Sequence, residues 1–214
     1  MDTDELERYQ SIRKMQQELT AKLMSNIVNV KEEMRDAAHE LGIPFRNGTI
    51  CFDDPNDMDR LQDFIYFEKH RDGSTSSGKI LESGFPFSTE ETTFLRAATA
   101  AETSLFEIVD LRRSEHSLLL RDLLREDAPE KWIIDIAFSK SPCMGVMLFC
   151  RLLEMDDFAF TSGASLAFAP EEKAFLLSQY RKIARIPNPT LRARKRFGFF
   201  VKQARNSLIK TIYE

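Results

Sequence analysis

The sequence is poor in the residues from which most compact active sites are built. Its three histidines, His39, His70 and His116, lie far apart and in no metal-ligand spacing, so neither a metal centre nor a cofactor is expected. Its three cysteines, Cys51, Cys143 and Cys150, are odd in number and lack a C-x-x-C pair, which excludes a disulfide framework and reads as free thiols in a reducing compartment. Eight glycines and eight prolines in 214 residues are too few for a loop-rich or disordered chain. No run approaches the ~18 apolar residues of a membrane-spanning helix. The start, Met1-Asp2-Thr3-Asp4-Glu5-Leu6, is acidic and has no apolar core, so no signal peptide is expected. These absences predict a cytoplasmic protein with no membrane partner.

Catalytic motifs are missing as well. Thr161-Ser162-Gly163-Ala164-Ser165 lacks the first glycine of a hydrolase elbow. Gly73 to Lys79 has neither the spacing nor the preceding strand of a phosphate-binding loop. Asp53-Asp54-Pro55-Asn56-Asp57-Met58-Asp59 is rich in carboxylates, but neither register places the glycine and the terminal glutamate that a calcium loop needs. Those residues fit a helix start better, with Asp54 as N-cap and Pro55 at the first helical position. A Cys143–His116 or Cys143–His70 pair and an Arg121/Asp122–Asp135 ion pair are the remaining candidates for local chemistry, and the second is expected to be structural.

What the chain does have is apolar residues, 43% of the total, and a change in their period. Leu6, Tyr9, Ile12, Met15, Leu19, Leu23, Ile27, Val30, Met34, Ala37 and Leu41 recur at helical steps, with Gly42 and Pro44 as the stop. An unbroken helix over Asp4–Leu41 would run to about 60 Å. Either it breaks near Ser25-Asn26 and wraps its own domain, or it projects and self-associates through Ile12, Leu19, Leu23, Ile27 and Val30. A short helix is predicted over Asp57–Lys69, then a flexible polar loop over Arg71–Gly78, then a helix opened by the Ser88–Glu91 capping box and running to Ala101.

From Ser104 to Ala169 the pattern alternates, which predicts four or five short strands: Leu105–Leu111, Ser117–Leu124, Trp132–Phe138, Val146–Leu153 and Phe158–Phe168. Arg112-Arg113-Ser114-Glu115 and Asp156-Asp157 would be turns, and Gly163 a bulge. The expected fold is α+β, a central antiparallel meander of about five strands, barrel-like or SH3-like, with one face filled and the other covered by long flanking helices. The expected organisation is a helical region over 1–102, a β module over 103–169 and a helical region over 170–214.

The last region carries the charge anomaly. Net charge is −4, yet Gln179–Ile212 holds ten lysines and arginines and no carboxylate. Pro187-Asn188-Pro189 breaks this region into two helices. The second has an apolar stripe of Leu191, Phe197, Val201, Ala204, Leu208 and Ile212 and a basic face of Arg192, Arg194, Lys195, Arg196, Lys202 and Arg205. That face is a candidate for nucleic-acid binding or for pairing with the acidic first half of the chain.

Phe64-Ile65-Tyr66-Phe67, Gly73-Ser74-Thr75, Ser104-Leu105-Phe106-Glu107-Ile108-Val109-Asp110, Leu118–Leu124 and Gly145–Leu152 together resemble a set of uncharacterised bacterial proteins. The likeness covers about residues 60–170. Many members of that set carry a C-terminal SecA-type cysteine-rich zinc motif, which this chain lacks, having no cysteine after Cys150. The resemblance implies a small β module of unknown activity. The leading expectation is a non-catalytic interaction or regulatory module acting through helix-mediated assembly and a sheet surface, with a homo-oligomer or another protein as partner. The alternatives are a nucleic-acid-binding protein and an enzyme whose site has no local motif.

Overall fold

The computed structural model describes residues 3–27, 30–70, 72–141, 143–155, 157–207 and 209. The N-terminal stripe forms two helices, α1 (Thr3–Asn26) and α2 (Val30–Leu41). The break has a local cause: Ser25 Oγ and Asn26 Nδ2 both donate to the carbonyl of Lys22, at 2.9 and 2.7 Å, capping the final turn with side chains. At the end of α2, Gly42 takes φ +68° while Gly42 N bonds His39 O and Ile43 N bonds Ala38 O, a Schellman stop. Residues 44–51, to which the patterning assigns nothing, form a hairpin of β1 (Phe45–Arg46) and β2 (Thr49–Ile50), turned by Asn47-Gly48 with both φ positive.

The polar stretch expected as a flexible loop instead opens a helix. Thr75 Oγ1 accepts from Gly78 N at 3.0 Å, starting α4 (Ser76–Glu82), and the buried Ser77 hydroxyl donates to Tyr66 O, tying α4 to α3 (Asp57–Phe67). Arg71 lies outside the described residues. Hydroxyl side chains that would solvate a loop here cap and bridge helices. Ser88 and Glu91 form the expected capping box of α5 (Thr89–Ala100). Asp54 is not the N-cap of α3. It accepts from Asn56 N in the turn before the helix and pairs with Arg60 at 2.7 Å.

The sheet has six strands: β3 (Thr103–Arg112), β4 (Ser117–Asp122), β5 (Lys131–Ile134), β6 (Met147–Glu154), β7 (Ala159–Thr161) and β8 (Leu166–Phe168). All pairings are antiparallel, but the order is β5-β4-β3-β6-β7 with β8 also on β6, so the expected meander holds from β3 to β5 and from β6 to β7 but not between β5 and β6. The chain then returns from the β5 edge to the free side of β3, with Leu105 opposite Phe149 and Phe106 opposite Leu148. β7 and β8 flank the same side of β6 and are parted at Gly163, φ +102°, the expected bulge. The outer strands β5 and β7 approach each other without sharing a ladder, and Lys131 of β5 bridges to Glu154 of β6.

The predicted strand Trp132–Phe138 stops at Ile134. Asp135 Oδ1 accepts from Phe138 N at 2.9 Å and starts the short helix α6 (Ile136–Ser139). Nor does Asp135 pair with the Arg121-Asp122 segment. Arg121 pairs with Glu130 at 2.6 Å and Asp122 with Arg125 at 2.7 Å.

Period two along β6 sorts its side chains between two cores. Leu148 and Cys150 join Ile108, Leu118, Leu120 and Ile133 inside the curled sheet. Met147, Phe149 and Leu153 join the larger core beneath the helices. There α8 (Pro189–Ala204), which follows α7 (Lys173–Ala184), lays Phe197, Phe200 and Val201 on the sheet, with Phe200 stacked on Phe149 at 4.4 Å between centroids. Asn188 Oδ1 caps α8 by accepting from Leu191 N at 2.8 Å. Gly198 lets α8 cross α2, since a Cβ there would sit 2.7 Å from Glu40 O. Leu191, assigned to the apolar stripe, is exposed, and Leu208 and Ile212 lie outside the described residues.

Candidate binding cleft

α1 lies on its own domain. Ile12, Leu19 and Leu23 are buried at 4, 1 and 2% exposure, Ile27 packs partly buried on the same core, and the side chain of Val30 is outside the described set. Arg13 stacks on Tyr9 and on Phe160 of β7 and reaches Thr161 Oγ1, and Tyr66 donates to Thr20 O. Burial pushes the Tyr66 phenol up to about 12. The face proposed for self-association is therefore the face that packs inward.

The basic face of α8 is drawn inward too. Lys195 pairs with Glu40 at 2.9 Å, and Arg205 with Asp57 at 3.5 Å and with the Gly42 carbonyl. Arg196 is buried, donating to Thr103 and lying 3.9 Å from Glu102. Arg192 donates to Ile186 O, and Arg194 lies 4.7 Å above the Phe64 ring and donates to Lys69 O. Lys202 is exposed. The nearby Arg151 is 1% exposed and binds Asp63 at 3.1 Å and Glu68 at 2.7 Å, joining α3 to the sheet. Asp63 and Glu68 are themselves buried, so this guanidinium is their partner away from water.

Between α2, α4 and the first turns of α8 lies an open cleft of about 1120 Å³. Ile27, Ala37, Phe64, Ile65, Ile80 and Leu191 supply its apolar lining. Its described charged lining is five carboxylates, Glu32, Glu33, Asp36, Glu40 and Asp72, against three cations, Lys79, Arg194 and Lys195. Each cation is engaged: Lys79 with Asp72 at 3.0 Å, Lys195 with Glu40, Arg194 on Phe64. Glu32 and Asp36 are 66 and 59% exposed, with Arg35 of the same helix loosely between them at 3.9 and 3.7 Å.

At the floor, His70 Nε2 is 2.8 Å from Ser76 Oγ, and Ser76 Oγ donates to Glu33 Oε2 at 3.0 Å. A hydroxyl has one proton, so with that proton on the Glu33 bond, Ser76 accepts from His70 Nε2–H. This assigns the proton to Nε2 and leaves Nδ1 as an acceptor that no described residue occupies. The His70 backbone is fixed by Ser74 O at 2.7 Å, in a turn that Asp72 organises by accepting from Ser74 N and Oγ. Those Ser74 bonds, with Lys79, hold the Asp72 carboxyl well below its usual range. Burial lowers the His70 pKa, with Lys79 and Arg194 acting the same way and Glu33 and Asp72 opposing.

The order His–Ser–Glu is not that of a serine-hydrolase triad, in which the carboxylate orients the imidazole and the serine stays free to be deprotonated by it. Cys143 pairs with no histidine. Its thiol donates to Phe138 O at 3.3 Å, burial raises its pKa, and His116 bonds Ser139. Among the described residues no group of His, Cys, Asp or Glu is arranged to hold a metal ion, and no helix is long and apolar enough to cross a membrane.

The members of this cleft are distant in sequence, and no single motif spans them. The available signal is helical spacing: Glu33, Asp36 and Glu40 share one face of α2, and Leu191, Arg194 and Lys195 share one face of α8.

A family model described as a family of unknown function, DUF7986, matches residues 3–214, and the chain belongs to that family. No curated protein and no solved structure matches the chain.

Proposed function

We propose that this protein is a non-catalytic interaction module and that the α2–α4–α8 cleft is where its partner docks. One observation carries the reading: the cleft is large and open, and two of its lining carboxylates, Glu32 and Asp36, are exposed and paired only loosely with Arg35, whereas most of the basic face of α8 is engaged within the fold. A volume of about 1120 Å³ is above the usual range of small-ligand sites and suits a side-chain-bearing segment of another chain. The helix-mediated assembly expected from the N-terminal stripe finds less support, because that stripe is buried against the protein's own core.

Site-specific photocrosslinking tests this. A benzoyl-phenylalanine at Ser83, exposed on the cleft rim, is expected to give a discrete adduct in the cells that make the protein, and one at Glu130, exposed beside β5, is expected to give none. Adducts from Glu130 alone, or from neither position, would contradict the assignment.

A further inference from the structure

We infer that the protein carries a second site, separate from the α2–α4–α8 cleft: a small cavity in which the buried Arg196 binds a carboxylate. The cavity lies where the ends of α3 and α5 meet Arg151 of β6 and the face of α8 that carries Ala193 and Arg196. Those two residues stand three apart on one face of α8, turned away from Leu191, Arg194 and Lys195 on the cleft side. Its volume is about 40 Å³. A water needs ~10–15 Å³, so there is room for about three atoms of that size, enough for a carboxylate group.

Two features point to the ligand's chemistry. The first is an unmet donor. Arg196 is 8% exposed, yet its Nη2 makes no hydrogen bond and comes only within 3.9 Å of Glu102 Oε2, beyond hydrogen-bond reach. The rest of the network is committed. Thr103 Oγ1 accepts from Arg196 Nε at 3.3 Å and donates to Glu68 Oε1 at 3.4 Å. Arg151 spends its donors on Asp63, Glu68 and the Ala101 carbonyl. A buried N–H without a partner is costly, and only an acceptor entering from outside removes that cost. The second feature is charge. Three cations, Lys69, Arg151 and Arg196, line the cavity against two carboxylates, Glu68 and Glu102, and Lys69 has no carboxylate partner among the described residues. A carboxylate supplies the missing acceptor as a charge-assisted bond, whereas an ammonium or guanidinium brings donors alone to a site that needs an acceptor. Glu102, 56% exposed and too far to bond, is the protein's own competitor for Arg196.

The test follows the Arg196 guanidinium and the backbone signals of ¹⁵N-labelled full-length protein through three titrations. N-acetyl-alanine offers a chain-end carboxylate, N-acetyl-glutamate α-amide a side-chain carboxylate, and N-acetyl-glutamine amide is their neutral counterpart. The expected result is saturable shifts at Arg196, Lys69 and residues 99–103 with one or both carboxylates and none with the neutral probe. Whichever carboxylate responds identifies the source of the group. Arg196→Met should abolish the response. Glu102→Gln removes the competitor and should tighten binding ~3-fold, the scale of one exposed charge. That gain is not what the loss of a structural contact produces, and the exposed position of Glu102 keeps the test standing if Arg196→Met does not fold. Silence towards both carboxylates, the outcome for a cavity that holds water only, would overturn the inference. So would equal shifts from the neutral probe, or an affinity unchanged in Glu102→Gln.

Discussion

The helices α2 and α8 face each other and use their charge in opposite ways. In sequence α8 stands out, since Gln179–Ile212 has ten cations and no carboxylate. In three dimensions five of its six candidate cations are tied to Glu40, Asp57, Glu102, Phe64 or a backbone carbonyl. α2 is less conspicuous in sequence, yet its Glu32 and Asp36 remain open to a cleft. Charge density along a chain therefore says little about charge available at a surface. Availability depends on which partners the fold supplies.

The contrast can be broken most severely at the engaged cations. Arg151→Ala leaves Asp63 and Glu68 buried without a counter-charge and is expected to cost about 3–5 kcal/mol in urea denaturation. Leu19→Ala empties a site in the core and should cost about 2–5 kcal/mol, with a molar mass by light scattering that equals wild type across concentrations. If Leu19 instead sits in a self-association seam, the substitution changes the mass. Removing the capping hydroxyl with Ser88→Ala should cost about 1 kcal/mol.

Acid provides a graded test on the cleft side. The folded pKa of His70 lies below its unfolded value, so the unfolded chain binds this proton first. Stability is unaffected above pH 6.5 and declines as pH falls from there through the lowered value. His70→Gln should flatten that part of the stability profile, measured by denaturation midpoints between pH 7.5 and 5. The smallest effect is expected at Lys195→Ala, where an exposed ion pair with Glu40 contributes less than about 1 kcal/mol.

Local rules made much of this fold legible. Helical stripes located α1, α2 and α8, the capping box located α5, alternation located β3 to β8, and Gly163 marked the bulge. The misreadings share a cause. Thr75 and Asp135 are residues that favour loops by bonding to the backbone, and the same bonds start helices when the following residues can turn. Strand order was not legible, because the pairing of β6 with β3 is decided by two-sided burial and not by any turn. The cleft was illegible for a similar reason. Glu33, His70 and Ser76 converge only because α2, α3 and α4 pack together, and no local spacing encodes that meeting.

The most direct measurement is an anisotropy titration of this protein with labelled RNA and DNA oligomers across a salt series. With the cations of α8 engaged within the fold, no salt-sensitive binding of either oligomer is expected. Oligomer binding that falls steeply with salt and is lost in an Arg192/Lys195/Arg196→Ala variant would contradict this and return the basic helix to the centre of the function.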